Sequence, residues 1–139
     1  MLEYDFIVVG SGAAGLSAAL HAADHGRVAV VTKRGALDSN SNWAQGGIAC
    51  VTSDIDSIEQ HVSDTLIAGA GLCNESAVRT IVTEGPARID ELLKWGVDFD
   101  QRENKEGHLE FDLTREGVHS QRRVLHAADD TGREISEQL

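Results

Sequence analysis

The hexapeptide Gly10-Ser11-Gly12-Ala13-Ala14-Gly15 has the form GxGxxG, and its surroundings restrict the fold more tightly than any other part of the chain. Before it lies Tyr4-Asp5-Phe6-Ile7-Val8-Val9, a short apolar and β-branched run of the kind found in a parallel strand buried on both faces. After it the chain is rich in Ala and Leu as far as His25, with Gly26 as a C-terminal cap, and Arg27-Val28-Ala29-Val30-Val31-Thr32 reads as a second strand. Strand, glycine turn, helix and strand make the front end of a dinucleotide-binding unit. In such a unit Gly10 makes the tight turn, Gly12 lets the backbone approach a pyrophosphate, and Gly15 allows close helix-to-strand packing. The helix N-terminus then holds the phosphates through unpaired N–H groups and the positive end of its dipole.

One element of an ordinary NAD site is missing. An acid at the end of the second strand would accept the ribose hydroxyls, but Val30-Val31-Thr32-Lys33 has none and the first comes at Asp38. Lys33 offers a positive charge there instead, suited to a phosphate-rich ligand held in another way, unless it is simply a solvated strand-end lysine.

At 139 residues and 41% hydrophobic content the chain has room for one domain with a modest core. Its formal charge of −11 argues against nucleic acid and anionic membrane surfaces as partners, both of which need clustered Lys and Arg. No apolar run approaches the length of a membrane span, and the N-terminus does not have the pattern of a signal peptide, so the expected compartment is cytoplasmic. Cys50 and Cys73 form no CxxC pair and belong to no metal-spaced Cys/His set, so inert thiols and no metal are expected.

The chain divides without repeats or low-complexity linkers. Residues 1–33 are the βαβ unit, 34–50 a polar loop closing on Ala44-Gln45-Gly46-Gly47, 51–100 a helical segment, and 101–139 a polar loop, a strand and a final helix. Within the helical segment, periodicity over 56–68 and 74–95 predicts helices that start at Asp56…Glu59 and Asn74, with Gly85-Pro86 as a break. Residues 101–117 read as turn-like, and Arg122-Arg123-Val124-Leu125-His126-Ala127 as a third strand. A capping box from Thr131 to Glu134 opens a helix that reaches Leu139 without a stop signal. It reads as a helix cut in mid-run.

Two loops could carry chemistry. Asn40, Ser41, Asn42, Trp43, Ala44, Gln45, Gly46 and Gly47 supply a hydroxyl, amides and a Gly-Gly pair, able to line the edge of a flat heterocycle as well as to form an ordinary surface turn. The other loop, 113–123, sets Glu116 among Arg115, Arg122, Arg123 and His119. At 25% charged residues such clusters arise by chance as readily as by function, and the functional reading is a pocket for a small charged substrate.

Four ordered motifs resemble the flavoprotein family of succinate dehydrogenase, fumarate reductase and L-aspartate oxidase. They are Gly10-Ser11-Gly12-Ala13-Ala14-Gly15-Leu16, Trp43-Ala44-Gln45-Gly46-Gly47-Ile48-Ala49, Asp64-Thr65-Leu66-Ile67-Ala68-Gly69-Ala70-Gly71 and Ala127-Ala128-Asp129-Asp130-Thr131-Gly132. The resemblance runs from residue 2 to 139, against the N-terminal part of much longer proteins. It implies an α/β fold, a Rossmann-like FAD-binding domain with a parallel sheet and flanking helices, incomplete in this chain. It also implies that FAD is contacted at Gly10, Ser11, Gly12, Ala13, Ala14 and Gly15, at Lys33, and at residues 40–47. Covalently flavinylated members carry a histidine where this chain has Asn40, so a noncovalent, dissociable FAD is implied.

Leu113-Thr114-Arg115-Glu116-Gly117 with His119-Ser120 and Arg122-Arg123 is similar to the aspartate-oxidising branch of that family, in which Glu116 would orient the amino acid. The implied reaction oxidises L-aspartate to iminoaspartate, with oxygen or fumarate as acceptor. It is the first step of NAD biosynthesis from aspartate, with a functional link to quinolinate synthase. Residues 1–139 alone are expected to be inactive, because the family's carboxylate clamp and base lie further along the chain. Two alternatives remain: a soluble fumarate reductase or succinate dehydrogenase-like flavoprotein, and a non-catalytic nucleotide-binding module.

Overall fold

The computed structural model describes residues 2–139; Met1, counted in the first sequence segment, lies outside the described residues. In chain order the elements are β1 (Phe6–Val9), α1 (Ala13–Ala23), β2 (Val28–Val31), β3 (Ile48–Ala49), α2 (Ile58–Ala68), α3 (Glu75–Lys94), β4 (Gln101–Glu103), β5 (Leu109–Phe111), β6 (Val124–Leu125) and α4 (Thr131–Gln138). They form two compact units. One comprises the residues up to Gly46 together with Asp129–Leu139, the other Gly47–Ala128.

In the first unit β1 and β2 pair in parallel, in register from Phe6 with Val28 to Val9 with Val31. The sequence predicts β1 to be buried on both faces, and it is not: Ile7 is 67% and Val9 84% exposed. The cause is the strand period of two. Val8 faces α1, where it lies close to Gly15, while Ile7 and Val9 point to the opposite face of a sheet that has only two strands. Gly26 also differs from expectation. The helix closes on Asp24 in a right-handed conformation, and Gly26 is small because Asp5 crowds it: an added Cβ would lie 2.7 Å from the carboxylate. That carboxylate accepts the Arg27 N–H at 2.8 Å, which fixes the entry into β2. α4 starts one residue earlier than the predicted capping box places it. Asp130 is the N-cap, and Thr131 is the first helical residue and fully buried.

In the second unit α2 and α3 pack together, and Cys50, Val62, Val82, Ile89, Val97, Phe99, Val124 and Leu125 are buried. Ser57 caps α2 by accepting the Gln60 N–H at 3.2 Å, and Asn74 caps α3 by accepting that of Ala77 at 3.0 Å. The expected break at Gly85-Pro86 does not occur, and α3 runs through it for 20 residues. A mid-helix proline costs about 3 kcal/mol. Val82 and Ile89, two turns apart on one face and both buried, contribute roughly 1.5–3 kcal/mol each and hold the helix together across it.

The expected third parallel strand is a different object. Val124–Leu125 pairs antiparallel with β3, Ile48 opposite Leu125 and Ala49 opposite Val124, so it does not extend the β1–β2 sheet. Gly47 makes that approach feasible, since a Cβ there would lie 2.1 Å from the Leu125 carbonyl oxygen. Residues 101–111, expected to be turn-like, form the antiparallel hairpin β4–β5. Asn104 shapes its tip by accepting the N–H groups of Glu106 and His108 at 3.0 and 2.9 Å, and Gly107 takes φ +83°. Among the described residues no helix is long and apolar enough to cross a membrane.

Candidate cofactor site and charged loop

The glycine turn is built from strain that only glycine relieves. Gly10 takes φ +114°, and its N–H donates to Val31 O at 2.8 Å, tying the turn to the end of β2. Buried Ser11 continues the tie through its hydroxyl to that of Thr32 at 3.2 Å. Gly15 then sits where a Cβ would be 2.3 Å from Gly10 O, so α1 meets β1 backbone to backbone. Gly12 is the N-cap of α1 and offers no side-chain cap, and the first turn carries no acid. Beyond the Ala13 N–H, which Ser41 takes, the positive end of this helix is open to an anion. Ala14 is exposed, Ala13 and Gly12 half-buried, and Lys33 lies exposed just beyond β2.

The loop at 40–46 is held beside that turn. Ser41 Oγ accepts the Ala13 N–H at 3.0 Å, and an added Cβ on Gly12 would lie 3.3 Å from the same oxygen. On its other side the loop rests on the start of α4, where Gly132 N–H donates to Ala44 O at 2.9 Å. A Cβ on Gly132 would come within 2.0 Å of Ser41 O, so only glycine fits against the loop there. Asn42 Oδ1 is buried with no hydrogen-bond partner, an acceptor left for a ligand donor. Trp43 is 73% exposed, and Asn40, Ala44, Gln45 and Gly46 are exposed as well. Gly47 belongs to the second unit. An open helix N-terminus over a glycine turn, with a hydroxyl-bearing loop and an orphan amide beside it, fits a phosphate-linked dinucleotide.

The charged loop of the second unit resolves into separate roles. At its base Thr114 bridges Val124: Thr114 N–H donates to Val124 O at 3.0 Å, and the N–H groups of Arg123 and Val124 donate back to Thr114 O at 3.1 Å each. Arg123 is fully buried and grips two carboxylates. Its Nε and Nη2 donate to the two oxygens of Asp56 at 2.7 and 2.8 Å, and its Nη1 donates to Asp64 Oδ2 at 2.6 Å. The sequence reading missed this network, and with it the role of Asp56, which is an ion-pair partner rather than a helix start. Arg122 donates to Leu113 O at 3.3 Å, and Arg115 and Glu116 are exposed with no ion-pair partner among the described residues.

Asp64 accepts two further bonds, from Ser120 N–H at 2.7 Å and Ser120 Oγ at 2.8 Å. Burial pushes its carboxyl pKa up, but the bonds from Ser120 and Arg123 outweigh that and hold it down at about 2. His119 Nδ1 lies 3.1 Å from Arg123 Nη1, and its ring stands edge-on to that of buried His61 at 5.6 Å. Burial first, and then the Arg123 charge, lower the His61 pKa. Between α2 and the loop lies a cleft of about 350 Å³, lined by Asp64, Thr65 and Ala68 on one side and Glu116, Gly117, Val118 and His119 on the other. It can take a small polar group but is no enclosed pocket.

Two parallel strands joined through a glycine turn and an uncapped helix define a dinucleotide-binding α/β protein. The chain belongs to the FAD binding domain family, which matches residues 5–139, and FAD is its cofactor. It is 53% identical over 98% of its length to L-aspartate oxidase 2-a, chloroplastic, from Nicotiana tabacum, of which it covers 20%. Against L-aspartate oxidase 1 of Ralstonia nicotianae it is 54% identical over 96% of its length, covering 25% of that protein. Among solved structures it superposes on an FrdA variant of Escherichia coli quinol fumarate reductase with a TM-score of 0.86, at 32% identity, over 99% of this chain and 23% of that one. The chain thus spans a fifth to a quarter of the length of the curated relatives it matches.

Proposed function

We propose that the chain supplies the dinucleotide-binding part of an FAD-dependent L-aspartate oxidase, which converts L-aspartate to iminoaspartate with oxygen or fumarate as acceptor. The observation that carries this reading is identity above half to L-aspartate oxidases over nearly the whole chain, together with an exposed carboxylate at Glu116 on a loop with both ends fixed. Bound FAD supplies the two-electron chemistry that no side chain can. On this reading the backbone of Gly10, Ser11, Gly12, Ala13, Ala14 and Gly15 holds its pyrophosphate at the α1 N-terminus. Residues 40–47 line the flavin, and Lys33 adds positive charge beside the phosphates. Asn40 has no nucleophile for a covalent link, so the cofactor is held noncovalently.

Glu116 would select the amino acid by accepting a charge-assisted hydrogen bond from its α-ammonium while repelling dicarboxylates that lack one. The product would enter NAD biosynthesis through condensation by quinolinate synthase, in the cytoplasm. The superposition on FrdA favours a second reading, reduction of fumarate without aspartate oxidation.

Kinetics of the full-length protein separate the two. Loss of a hydrogen bond to a charged group is worth about 1.5–3 kcal/mol, so Glu116→Gln should lower kcat/KM for aspartate roughly 10- to 150-fold and leave fumarate reduction unchanged or improved. Equal losses for both substrates would make Glu116 structural, and a native protein that reduces fumarate but never releases iminoaspartate from aspartate would establish the second reading.

A further inference from the structure

We propose that Asp64, Ser120 and Arg123 are positioning residues for Glu116, an inference that rests on the function proposed for that carboxylate. Glu116 sits at an exposed turn, where its own carbonyl accepts the His119 N–H at 3.1 Å and Gly117 takes φ +52°. Such a turn, with Glu116, Gly117 and Val118 all exposed, has little packing of its own to hold one geometry. Its position is set instead from both flanks. On the N-terminal side Thr114 is bonded to Val124; on the C-terminal side Ser120 is bonded twice to Asp64.

Asp64 can serve as an anchor because it cannot itself move. It projects from α2, and Arg123 bridges it to Asp56 with a side chain that has no exposed surface. Two carboxylates against one guanidinium leave a net negative charge among Asp56, Asp64 and Arg123. The Ser120 N–H and O–H, with the Ser57 N–H on Asp56, are donors that offset it, and the two hydrogen bonds from Ser120 to one carboxylate oxygen fix both the backbone and the side chain of that residue. The loop is therefore fastened to the helix by the same carboxylate that neutralises the buried arginine. A change at Asp64 or Ser120 should displace Glu116, four residues from Ser120, without touching substrate or flavin.

The mild variant Ser120→Ala keeps the backbone bond and deletes only the hydroxyl, so the fold is retained at a small cost in stability; Asp64→Asn weakens both bonds. In the full-length protein we expect Ser120→Ala to lower kcat/KM for aspartate roughly 2- to 10-fold, as for one hydrogen bond to a charged group in a coupled set. Fumarate reduction and flavin content should stay at native values, Tm should fall by only a few degrees, and Ser120→Thr, which keeps the hydroxyl, should restore aspartate turnover. Combined with Glu116→Gln, Ser120→Ala should cost nothing more, because the group it positions is already gone.

A purely structural role predicts the opposite pattern: equal loss for aspartate and fumarate, and a loss that adds to that of Glu116→Gln. Additive losses on a selective Glu116→Gln background would overturn the positioning role and leave the proposed function intact. A Glu116→Gln variant with no selectivity would instead remove the function assigned to Glu116, and this inference with it.

Discussion

Replacing Gly15 with alanine places one methyl group in a gap that the backbone has already closed. The added Cβ would lie 2.3 Å from Gly10 O, 3.1 Å from Gly10 C and 3.6 Å from Val8 Cγ1. A carbon-to-carbonyl-oxygen contact settles at roughly 3.3–3.6 Å, so the helix must retreat by about 1 Å or the turn must open. Neither is free to do so. Gly10 is bonded to Val31 at 2.8 Å and holds φ +114°, and the first amide of α1 is bonded to Ser41 Oγ at 3.0 Å. Overpacking of this kind costs about 1–3 kcal/mol, against which alanine gains up to about 1 kcal/mol in helix propensity. The expected balance is a destabilisation of about 1–2 kcal/mol. Gly35→Ala is the control, because a Cβ there meets nothing within 4 Å, and loss of unfolded-state freedom should stabilise it by about 0.4–1 kcal/mol. Urea unfolding followed by circular dichroism compares the two, and titration with FAD reads the displaced helix N-terminus as weaker binding. An alanine at residue 15 that unfolds at or above the midpoint of the Gly35 variant would refute the close-approach argument.

Three further outcomes follow from the buried charges and from Asn40. The Asp64 carboxyl is held at about 2, below its ordinary value of about 3.9, so the unfolded chain binds the extra proton first: its contribution, roughly 2 kcal/mol, is complete above about pH 5 and lost as pH falls toward 2, which acid titration of the urea midpoint should trace. Arg123→Leu leaves Asp56 and Asp64 buried without a cation and should cost about 3–5 kcal/mol; a loss below about 1 kcal/mol would mean that the carboxylates reach solvent or protonate freely. Acid precipitation of the flavin-loaded protein should release all of the yellow chromophore to the supernatant, and flavin fluorescence on the band of a denaturing gel would contradict a noncovalent cofactor.

What could be read from sequence was what is local. Gly10, Gly12 and Gly15 lie between two β-branched runs, and their roles follow from spacing along one βαβ unit, whose strand and helix bounds emerge within a few residues of expectation. Asn74 is equally local, since a cap and its N–H are three residues apart. The hidden features are nonlocal. Val124–Leu125 has the composition of a strand, but nothing in it tells a parallel neighbour from the antiparallel one that it finds at Ile48–Ala49. Pro86 reads as a breaker because the burial of Val82 and Ile89 on either side is invisible to propensity. Arg123 is visible only as a charge, and its partners lie 67 and 59 residues away. The one available signal lay around the start of α2, where Asp56 just precedes the cap and Asp64 follows eight residues later, three beyond the buried His61 on the same helix face.

That nonlocal arginine changes what the loop at 113–123 can recognise. Counted from sequence, three arginines and a histidine surround one glutamate, which reads as a pocket for a small charged substrate. In the folded unit Arg123 is consumed by Asp56 and Asp64, and Arg122 stays exposed beside Leu113 O, six residues beyond the carboxylate; on the turn 115–118 itself the exposed charges are Arg115 and Glu116. A turn with one cation and one carboxylate has no surplus of positive charge with which to clamp two carboxylates, but it can discriminate at an ammonium group. On the proposed reading the loop therefore sets selectivity rather than affinity, and the grip on the substrate carboxylates falls to other residues of the full-length enzyme. The selective loss expected for Glu116→Gln, with fumarate untouched, follows from that division of charge.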